Sequence, residues 1–525
     1  MPRKSTNQIK SIKKNSAKKT GHTTEHNYTR RMVHGASVLF LMGILASFSG
    51  YLLQVLLARA LSPNDFGLVY AIFSLFGVLL VANEFGLRPA LSKFIASFVV
   101  SKEYGKIKGA FFFVLLVQVA LSILIGLVVI LLGSFLSTHY FHTQAAYAPL
   151  IIYSIGFMIH SLHSMFKPTF QGFQFHTLYS LVDFLKITTI LVLTALLLPY
   201  GFGVSAPMIA YLVAYLVLPL GVYLPLLLRK LRHTPKVLAA KMELSPSLCK
   251  KIFLFGLPLI LGEGAGIILG YSDTLVLAYF SLAQVGLYNI ALPISKMLWR
   301  ITTTLTTVFF PMASELWARK DTVRLNSGLT RMQKYALITV FPLAILIFFY
   351  AETIIQVFFG SAYVPAANAL RFLVFGAIFY TIAQLNMTTL LGIGHPLLVT
   401  KLTMGVAVWD VIGNLVFIPA FGMMGAVLTT VVNFALLMVL SGWYVKKYIH
   451  ISFSWLLFFK ITAVNTLYAG FIFLVGRLLS TMLSFWPTAI IVVSSSTLFY
   501  FIALFVARIV SKEELFQLWH RIRKN

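Results

Sequence analysis

Apolar stretches of about 20 residues recur along almost the whole chain, and this feature restricts the possible folds more than any other. Such stretches match the length of an α-helix that crosses a bilayer. The 525 residues are 59% hydrophobic and 11% charged, whereas soluble domains carry about 25% charged residues. The sequence therefore predicts an all-α polytopic membrane protein with about 14 transmembrane helices. The predicted spans lie near residues 34–58, 67–87, 109–136, 148–166, 177–199, 203–228, 252–277, 286–313, 334–358, 366–392, 397–419, 422–445, 456–480 and 486–508.

The distribution of basic residues predicts the orientation of these spans. The chain has 42 Lys and Arg residues against 14 Asp and Glu residues, a net charge of +28. Short cytosolic loops of membrane proteins are enriched in Lys and Arg. An even number of spans with a cytosolic N-terminus puts 36 of the 42 basic residues at the cytosolic side. We therefore predict that both termini are cytosolic in a cytoplasmic membrane, and that the positive charge does not signal a nucleic-acid partner.

Three basic segments are predicted to lie in the cytosol. The N-terminal tail holds nine Lys and Arg residues and is predicted to be solvated, with anionic lipids as an alternative partner. The segment 229–251 links two groups of spans. The segment 511–525 begins with a capping box, Ser511 with Glu514, and is predicted to form an amphipathic surface helix. The single cysteine, Cys249, excludes an intrachain disulfide and a cysteine-cluster metal site, and no cofactor is predicted.

Two pairs of segments repeat at an offset of 219 residues. "LARALSPNDFGLVY" and "LAYFSLAQVGLYN" align Gly67 with Gly286, and "PYGFGVSAPMIAYLV" and "PAFGMMGAVLTTVV" align Gly203 with Gly422. Because six spans separate the copies, they share one orientation. This predicts two parallel six-helix lobes related by a pseudo-two-fold axis along the membrane normal, plus two extra C-terminal helices. The predicted divisions are the basic tail 1–33, the N-lobe 34–228, the linker 229–251, the C-lobe 252–445, the last two spans in 446–510 and the amphipathic tail 511–525.

Several stretches together resemble the polysaccharide transporter family. They are "LLARALSPNDFGLVYAIFSL", "NEFGLRPALSKFIAS", "YSDTLVLAYFSLAQVGLYNIALPISK", "LLGIGHP" and "FIPAFGMMGAVLTTVV". This family contains Wzx-like oligosaccharide flippases and belongs to a superfamily that includes multidrug exporters and lipid II flippases. The resemblance implies a two-lobed transporter with 14 helices. It also implies a cargo of polyprenyl-diphosphate-linked oligosaccharide, moved across the cytoplasmic membrane by alternating access.

Two cations lie deep in the eighth predicted span. Lys296 and Arg300 are four residues apart, so they project from one face of a helix. Charges near the bilayer centre are costly and are usually paired or exposed to a wet cavity. One interpretation is pairing with acids on neighbouring helices, and the other is contact with an anionic diphosphate. The sequence leaves both open.

Other deep charges supply candidate partners and ion sites. Lys186 is a third deep base and a candidate cargo contact. Asp183, three residues before it, can pair with Lys186 on the same helix. Glu263 and Asp410 are candidates for ion pairs or for coupling to Na⁺ or H⁺, although no spacing specifies an ion.

Charges near the span ends have two interpretations each. Arg59 precedes a turn at the outer side and is a candidate cargo contact or an interfacial anchor. Asp273 is predicted to cap a helix end, with coupling-ion binding as the alternative. Glu84 and Arg88, four residues apart at the cytosolic end of the second span, are predicted to form a structural ion pair, with a cytosolic gate as the alternative.

Three functions compete on this evidence. The first is a flippase, with a lipid II-type cargo as a variant. The second is an ion-coupled multidrug antiporter, against which Lys296 and Arg300 argue because its cargo is cationic. The third is a membrane enzyme, which we reject because no catalytic motif or acidic external loop is present. His160 and His163 are close in sequence, but the absence of an evident third ligand argues against a metal site.

Overall fold

The computed structural model of this chain describes residues 38–232, 234–449, 455–481 and 483–510. These residues form helices and their connections, and no β-strand occurs among them. The predicted basic tail 1–33 and the predicted amphipathic tail 511–525 lie outside the described residues.

The described helices follow one another with short connections. In chain order they are α1 Val38–Ala60, α2 Pro63–Glu84, α3 Leu87–Ser101, α4 Tyr104–Leu131, α5 Tyr147–Ser164, α6 Phe166–Gly172, α7 His176–Leu197, α8 Ser205–Leu218, α9 Leu224–Leu231, α10 Pro235–Ala239, α11 Pro246–Phe280, α12 Leu282–Ala318, α13 Thr322–Phe349, α14 Ala351–Phe359, α15 Ala366–Gly392, α16 Pro396–Phe421, α17 Met423–Ile449, α18 Trp455–Ser480 and α19 Phe485–Val506. A π-helical turn, Leu136–Tyr140, follows α4.

The helices account for the predicted spans. Twelve helical segments in the described part of the chain are long and apolar enough to cross a membrane. Helix α11 adds a bent candidate, which contains Pro258; proline removes a helical hydrogen bond and bends a helix. Helix α12 has 37 residues and is also long enough, but it carries Lys296 and Arg300. The predicted number of 14 is therefore approximate, because α11 and α12 depart from a straight apolar helix.

One compact unit comprises the described residues of 38–56 together with Ala82–Ser134 and Tyr147–Leu259. In this unit α4 packs on α3 and α5, and α8 packs on α5 and α7. Its core includes the fully buried Leu91, Ile95, Val114 and Ile252. The linker is held on α4, where the Lys108 Nζ donates to the carbonyl oxygens at the end of α10.

The second compact unit comprises Leu57–Val81, Phe135–Ala146 and the described residues from 260 onward. Helix α15 lies at its centre and packs on α12, α13 and α17. Small and polar residues along α15 are buried, which permits these close packings. The lobes derived from the sequence repeat have different boundaries from the two units and remain a prediction.

Candidate cargo and ion sites

Two carboxylates share a buried polar cluster in the second unit. Asp273 on α11 and Asp410 on α16 expose only 6% and 2% of their surface. The Asn414 Nδ2 donates to the Asp273 Oδ1 at 2.6 Å and to the Asp410 Oδ2 at 3.2 Å. Asp410 also accepts hydrogen bonds from the Ser272 hydroxyl and from the Asn433 amide. One amide therefore bridges the two acids.

Helices α12 and α17 complete this carboxylate cluster. The Tyr288 hydroxyl donates to Asp273, and the Thr430 hydroxyl donates to the same carboxylate oxygen at 3.0 Å. The amide oxygens of Asn414 and Asn433 are buried and accept no hydrogen bond from the described residues. Two carboxylates this close to each other disfavour full ionisation unless a proton or a cation neutralises them. The cluster therefore has the donor set for a proton or a small hard cation.

Asp273 corrects one prediction from the sequence. It was expected to cap a helix end, but α11 continues to Phe280 and places the carboxylate inside the helix. The sequence analysis also missed Tyr288, Asn414 and Thr430. A signal existed at α16, because Asp410 and Asn414 are four residues apart and share one face of an apolar helix.

Lys296 and Arg300 lie near the middle of α12, four residues apart as predicted. The Lys296 side chain is half-buried, and its Nζ lies 5.3 Å from the centre of the Trp299 ring. The Arg300 side chain is exposed. Neither cation forms a direct ion pair with Asp410 in the described ranges, but Lys296 interacts electrostatically with Asp273. Glu263 itself lies on α11 with an exposed side chain.

The Trp299 ring belongs to an aromatic group beside Lys296. It stacks on Tyr380 with ring centres 4.3 Å apart and meets Phe434 edge-on at 5.1 Å. The indole Nε1 is buried and donates to no acceptor in the described chain. Trp299 is therefore packed against α15 and α17 next to Lys296.

The first unit holds a second group of charges. The predicted pair of Glu84 and Arg88 is confirmed, with 2.7 Å between the carboxylate and the guanidinium. Asp183 forms its direct ion pair with Lys167 on α6 and not with Lys186, which it attracts beyond ion-pair distance. Side chains lean towards the N-terminus of their helix, and this directs Asp183 to the end of α7 at which α6 packs. Lys186 therefore forms no direct ion pair within the described residues, but it interacts electrostatically with Asp183.

Two histidines are buried near these charges. His160 and His163 lie on α5, and each is packed against the ring of Tyr215. Their Nδ1 atoms have no hydrogen-bond partner among the described residues. Aromatic rings surround the two histidines, which form a packed cluster with Tyr215.

Arg59 is engaged by a neighbouring helix end. Its Nε donates to the Phe358 carbonyl at 2.9 Å, and its Nη2 donates to the Val357 carbonyl. These are the last carbonyls of α14, which have no partner within that helix. The guanidinium also interacts favourably with the negative end of the helix dipole. The structure thus gives Arg59 a structural role.

The two glycines that the repeat aligned are in direct contact. A Cβ atom at Gly67 would lie 1.8 Å from the Leu282 carbonyl oxygen and 2.9 Å from the Gly286 nitrogen. A Cβ atom at Gly286 would lie 2.3 Å from the Pro63 carbonyl oxygen. Only glycine permits backbones to approach so closely. We call this contact between the first turns of α2 and α12 the glycine crossing.

Comparison with known sequences places this arrangement in a family. The family described as "Polysaccharide biosynthesis protein" matches residues 56–368, more than half of the chain. The chain belongs to this polysaccharide biosynthesis protein family. With its many membrane-length helices, the chain is a multi-pass membrane protein of this family.

Two relatives and two solved structures are similar to this family member. The uncharacterized membrane protein MJ1068 of Methanocaldococcus jannaschii is 28% identical over 82% of this chain and 88% of its own. The probable low-salt glycan biosynthesis flippase Agl15 of Haloferax volcanii is 21% identical over 43% of this chain and 48% of its own. The lipid II flippase MurJ in its inward closed conformation shares the fold with a TM-score of 0.69, at 17% identity, over 89% of this chain and 99% of that one.

The second solved structure is an inward-facing multidrug resistance MATE transporter. It matches with a TM-score of 0.63, at 16% identity, over 77% of this chain and 94% of that one. These likenesses confirm the predicted family and the all-α polytopic fold. The roles predicted for single charged residues are separate from the fold and remain predictions.

Proposed function

We propose that this family member is a flippase that moves a polyprenyl-diphosphate-linked oligosaccharide from the inner to the outer leaflet of the cytoplasmic membrane. The observation that carries this proposal is the pair Lys296 and Arg300 on α12: no carboxylate of the described residues forms a direct ion pair with either of them, although Asp273 attracts Lys296 beyond ion-pair distance. Family membership supports the transport function. The name of the Agl15 relative supports a glycan cargo.

The unpaired cations fit the diphosphate of such a cargo. Arg300 can hold two phosphate oxygens with its planar fork, and Lys296 supplies a point charge from the same helix face. Both residues lie about midway along α12. An anion that contacts them compensates for the cost of placing two positive charges within the bilayer.

Transport is proposed to follow alternating access with both termini in the cytosol. The positive-inside distribution supports this orientation. Under it, the glycine crossing is proposed to lie at the outer side, where it holds α2 and α12 together. Cargo release to the outer leaflet then requires α2 and α12 to separate there.

The carboxylate cluster is proposed to bind the coupling ion, Na⁺ or H⁺. Asp273 and Asp410 are buried, bridged by one amide and adjacent to two amide oxygens without donors. A cation or a proton neutralises such a pair. Anionic lipids at the cytosolic face are a further proposed partner of the basic segments.

Cells that lack the protein test the proposed cargo. Lipid-linked oligosaccharide is expected to accumulate in the inner leaflet of their cytoplasmic membrane, with a loss of surface glycan. Unchanged lipid-linked pools together with raised drug sensitivity would instead favour a multidrug antiporter. Accumulation of lipid II would identify the lipid II-type variant.

Substitutions of Arg300 test the cargo contact. Arg300→Ala is expected to lower glycan export by about 10- to 150-fold, the equivalent of one charge-assisted interaction worth roughly 1.5–3 kcal/mol. Arg300→Lys is expected to restore export only in part, because the planar fork is lost. Membrane abundance is expected to stay normal, since no carboxylate is left unpaired. Arg331→Ala, an exposed arginine on α13 without an ion pair in the described chain, is the matched control.

A further inference from the structure

A pocket of about 390 Å³ lies beside the glycine crossing in the second unit. Its lining comes from the first turn of α2, from the segment 141–145, and from the junction of α11 with α12. The volume falls in the range of about 300–1,000 Å³ that is usual for small-molecule sites. The pocket is separate from the carboxylate cluster and from Lys296 and Arg300, none of which lines it.

Aromatic rings form one wall of this pocket. Tyr279 and Phe280 are 48% and 49% exposed, and their rings lie 5.2 Å apart. The His142 ring meets the Tyr279 ring at 5.3 Å. Large rings that stay exposed at the mouth of a pocket offer flat apolar faces to a ligand.

Polar groups face the same space from α2 and the connecting segment. Asn64, Asp65 and Thr143 line the pocket together with the rings. Asp65 accepts a hydrogen bond from the Ser62 hydroxyl through Oδ2 at 2.8 Å. Its Oδ1 accepts none from the described residues, so it remains available to a ligand donor.

The backbone around His142 is held in an unusual conformation. His142 has a φ of 54°, in the left-handed region, and directly follows the π-helical turn and Phe141. The turn is fastened to α11, because the Tyr140 hydroxyl donates to the Leu275 carbonyl. A side chain held at a left-handed position next to a π-helical turn is typical of functional sites.

The charge of the residues that line the pocket favours some classes of ligand over others. Asp65 contributes a negative charge, and no Lys or Arg lines the pocket. A diphosphate is therefore disfavoured. A neutral sugar is favoured, because its ring C–H faces stack on aromatic rings and its hydroxyls donate to carboxylate and amide oxygens.

We propose that this pocket binds a sugar unit of the transported glycan. The proposal rests on the proposed flippase function and deepens it by giving the glycan a site of its own. With the orientation argued above, the pocket opens at the outer side. Its walls come from both α2 and α12, so a bound sugar would favour the state in which the glycine crossing is closed.

Binding of a soluble glycan tests the proposal. The probe is the glycan released by mild acid from the lipid-linked pool of the native cells, titrated onto the full chain in phospholipid nanodiscs that contain no glycolipid. Saturation-transfer NMR is expected to show transfer from aromatic protons to the sugar. Tyr279→Ala and His142→Gly are each expected to weaken binding by about fivefold or more; glycine accepts the left-handed backbone at position 142.

Two controls complete the experiment. Tyr200→Ala removes an exposed tyrosine that does not line the pocket and is expected to bind the glycan normally. Inorganic diphosphate is expected not to displace the glycan. The proposal is overturned if the wild-type chain does not bind the glycan, if both pocket variants bind it normally, or if diphosphate displaces it.

The outcome separates the pocket from the flippase function. If Tyr279→Ala and His142→Gly bind the glycan normally in nanodiscs, while glycan export in cells still depends on this chain, the pocket is refuted and the flippase function is not. Normal lipid-linked pools in cells without the protein would refute the flippase, whatever the binding result.

Discussion

Gly67→Ala is expected to separate α2 from α12. The added Cβ would lie 1.8 Å from the Leu282 carbonyl oxygen, whereas carbon and oxygen approach to about 3.3 Å in the closest favourable contacts. The helices must therefore move apart by about 1.5 Å. Because the opposing atoms are backbone, no side chain can turn aside. Overpacking of this kind costs about 1–3 kcal/mol, which changes the ratio of closed to open crossings by about 5- to 150-fold.

A cysteine on the proposed cavity face reports the change. Thr304→Cys, in a chain whose own Cys249 is replaced by Ser, lies four residues after Arg300 and is exposed. Labelling by a membrane-impermeant maleimide from the outside is expected to become faster in Gly67→Ala. Gly286→Ala is expected to act in the same direction, since its Cβ would lie 2.3 Å from the Pro63 carbonyl oxygen. The double variant is expected to add little, because one contact is lost in all three.

Gly266→Ala is the matched control for this experiment. It also adds a methyl group to a helical glycine, but no other atom lies within 4 Å of the new Cβ. Its labelling rate is expected to equal that of the parent. If Gly67→Ala also labels at the parental rate and exports glycan normally, the crossing does not gate access and the reasoning fails.

Three further predictions concern single charged residues. Asp410→Asn keeps the shape of the carboxylate cluster but removes a charge; in proteoliposomes it is expected to abolish the response of transport to an imposed Na⁺ or proton gradient, and a retained response would contradict the ion site. Arg59→Ala removes the side chain that binds the last carbonyls of α14, so it is expected to lower the free energy of unfolding by about 0.3–1 kcal/mol. The thermal midpoint is expected to fall while glycan export stays normal. A clear loss of export at normal protein abundance would instead indicate that Arg59 contacts the cargo. Lys167→Met breaks the half-exposed ion pair with Asp183 and is expected to lower the free energy of unfolding by less than about 1 kcal/mol. Lys186→Met is expected to reduce glycan export. If both substitutions reduce export equally, the two lysines do not have separate roles.

The transmembrane organisation could be predicted from the sequence because it depends on local composition. Apolar length and the alternation of basic loops act segment by segment, so each membrane-length helix in the described chain has a predicted counterpart, whereas the shorter helices such as α3 and α6 do not. The bend in α11 was also signalled locally, by Pro258. These features need no knowledge of which helices are neighbours.

The contacts between distant segments could be predicted only in part. The repeat aligned Gly67 with Gly286, but it did not indicate that the two glycines touch. Residues at matching positions of the two copies of a repeat touch only where the two-fold axis that relates the copies passes between them. The position of such an axis depends on tertiary packing. For the same reason Asp273 was expected at a helix end, although Asn414, Tyr288 and Thr430 surround it in the structure.

The deep charges show why counting residues could not decide between cargo and pairing. Three deep bases and three acids balance in the sequence, and balance suggests mutual neutralisation. In the structure two of these acids have closer partners: Asp410 shares an amide with Asp273, and Asp183 pairs with Lys167.

Lys296, Arg300 and Lys186 therefore have no direct ion pair with a carboxylate in the described chain, although Asp273 attracts Lys296 and Asp183 attracts Lys186 beyond ion-pair distance. An unpaired base attracts an anion without first giving up an internal ion pair, so the full interaction is available to the cargo. The same three charges repel a cationic drug at close range. Which acids and bases pair directly with each other, more than how many there are, therefore supports the proposed anionic lipid-linked cargo over a cationic one.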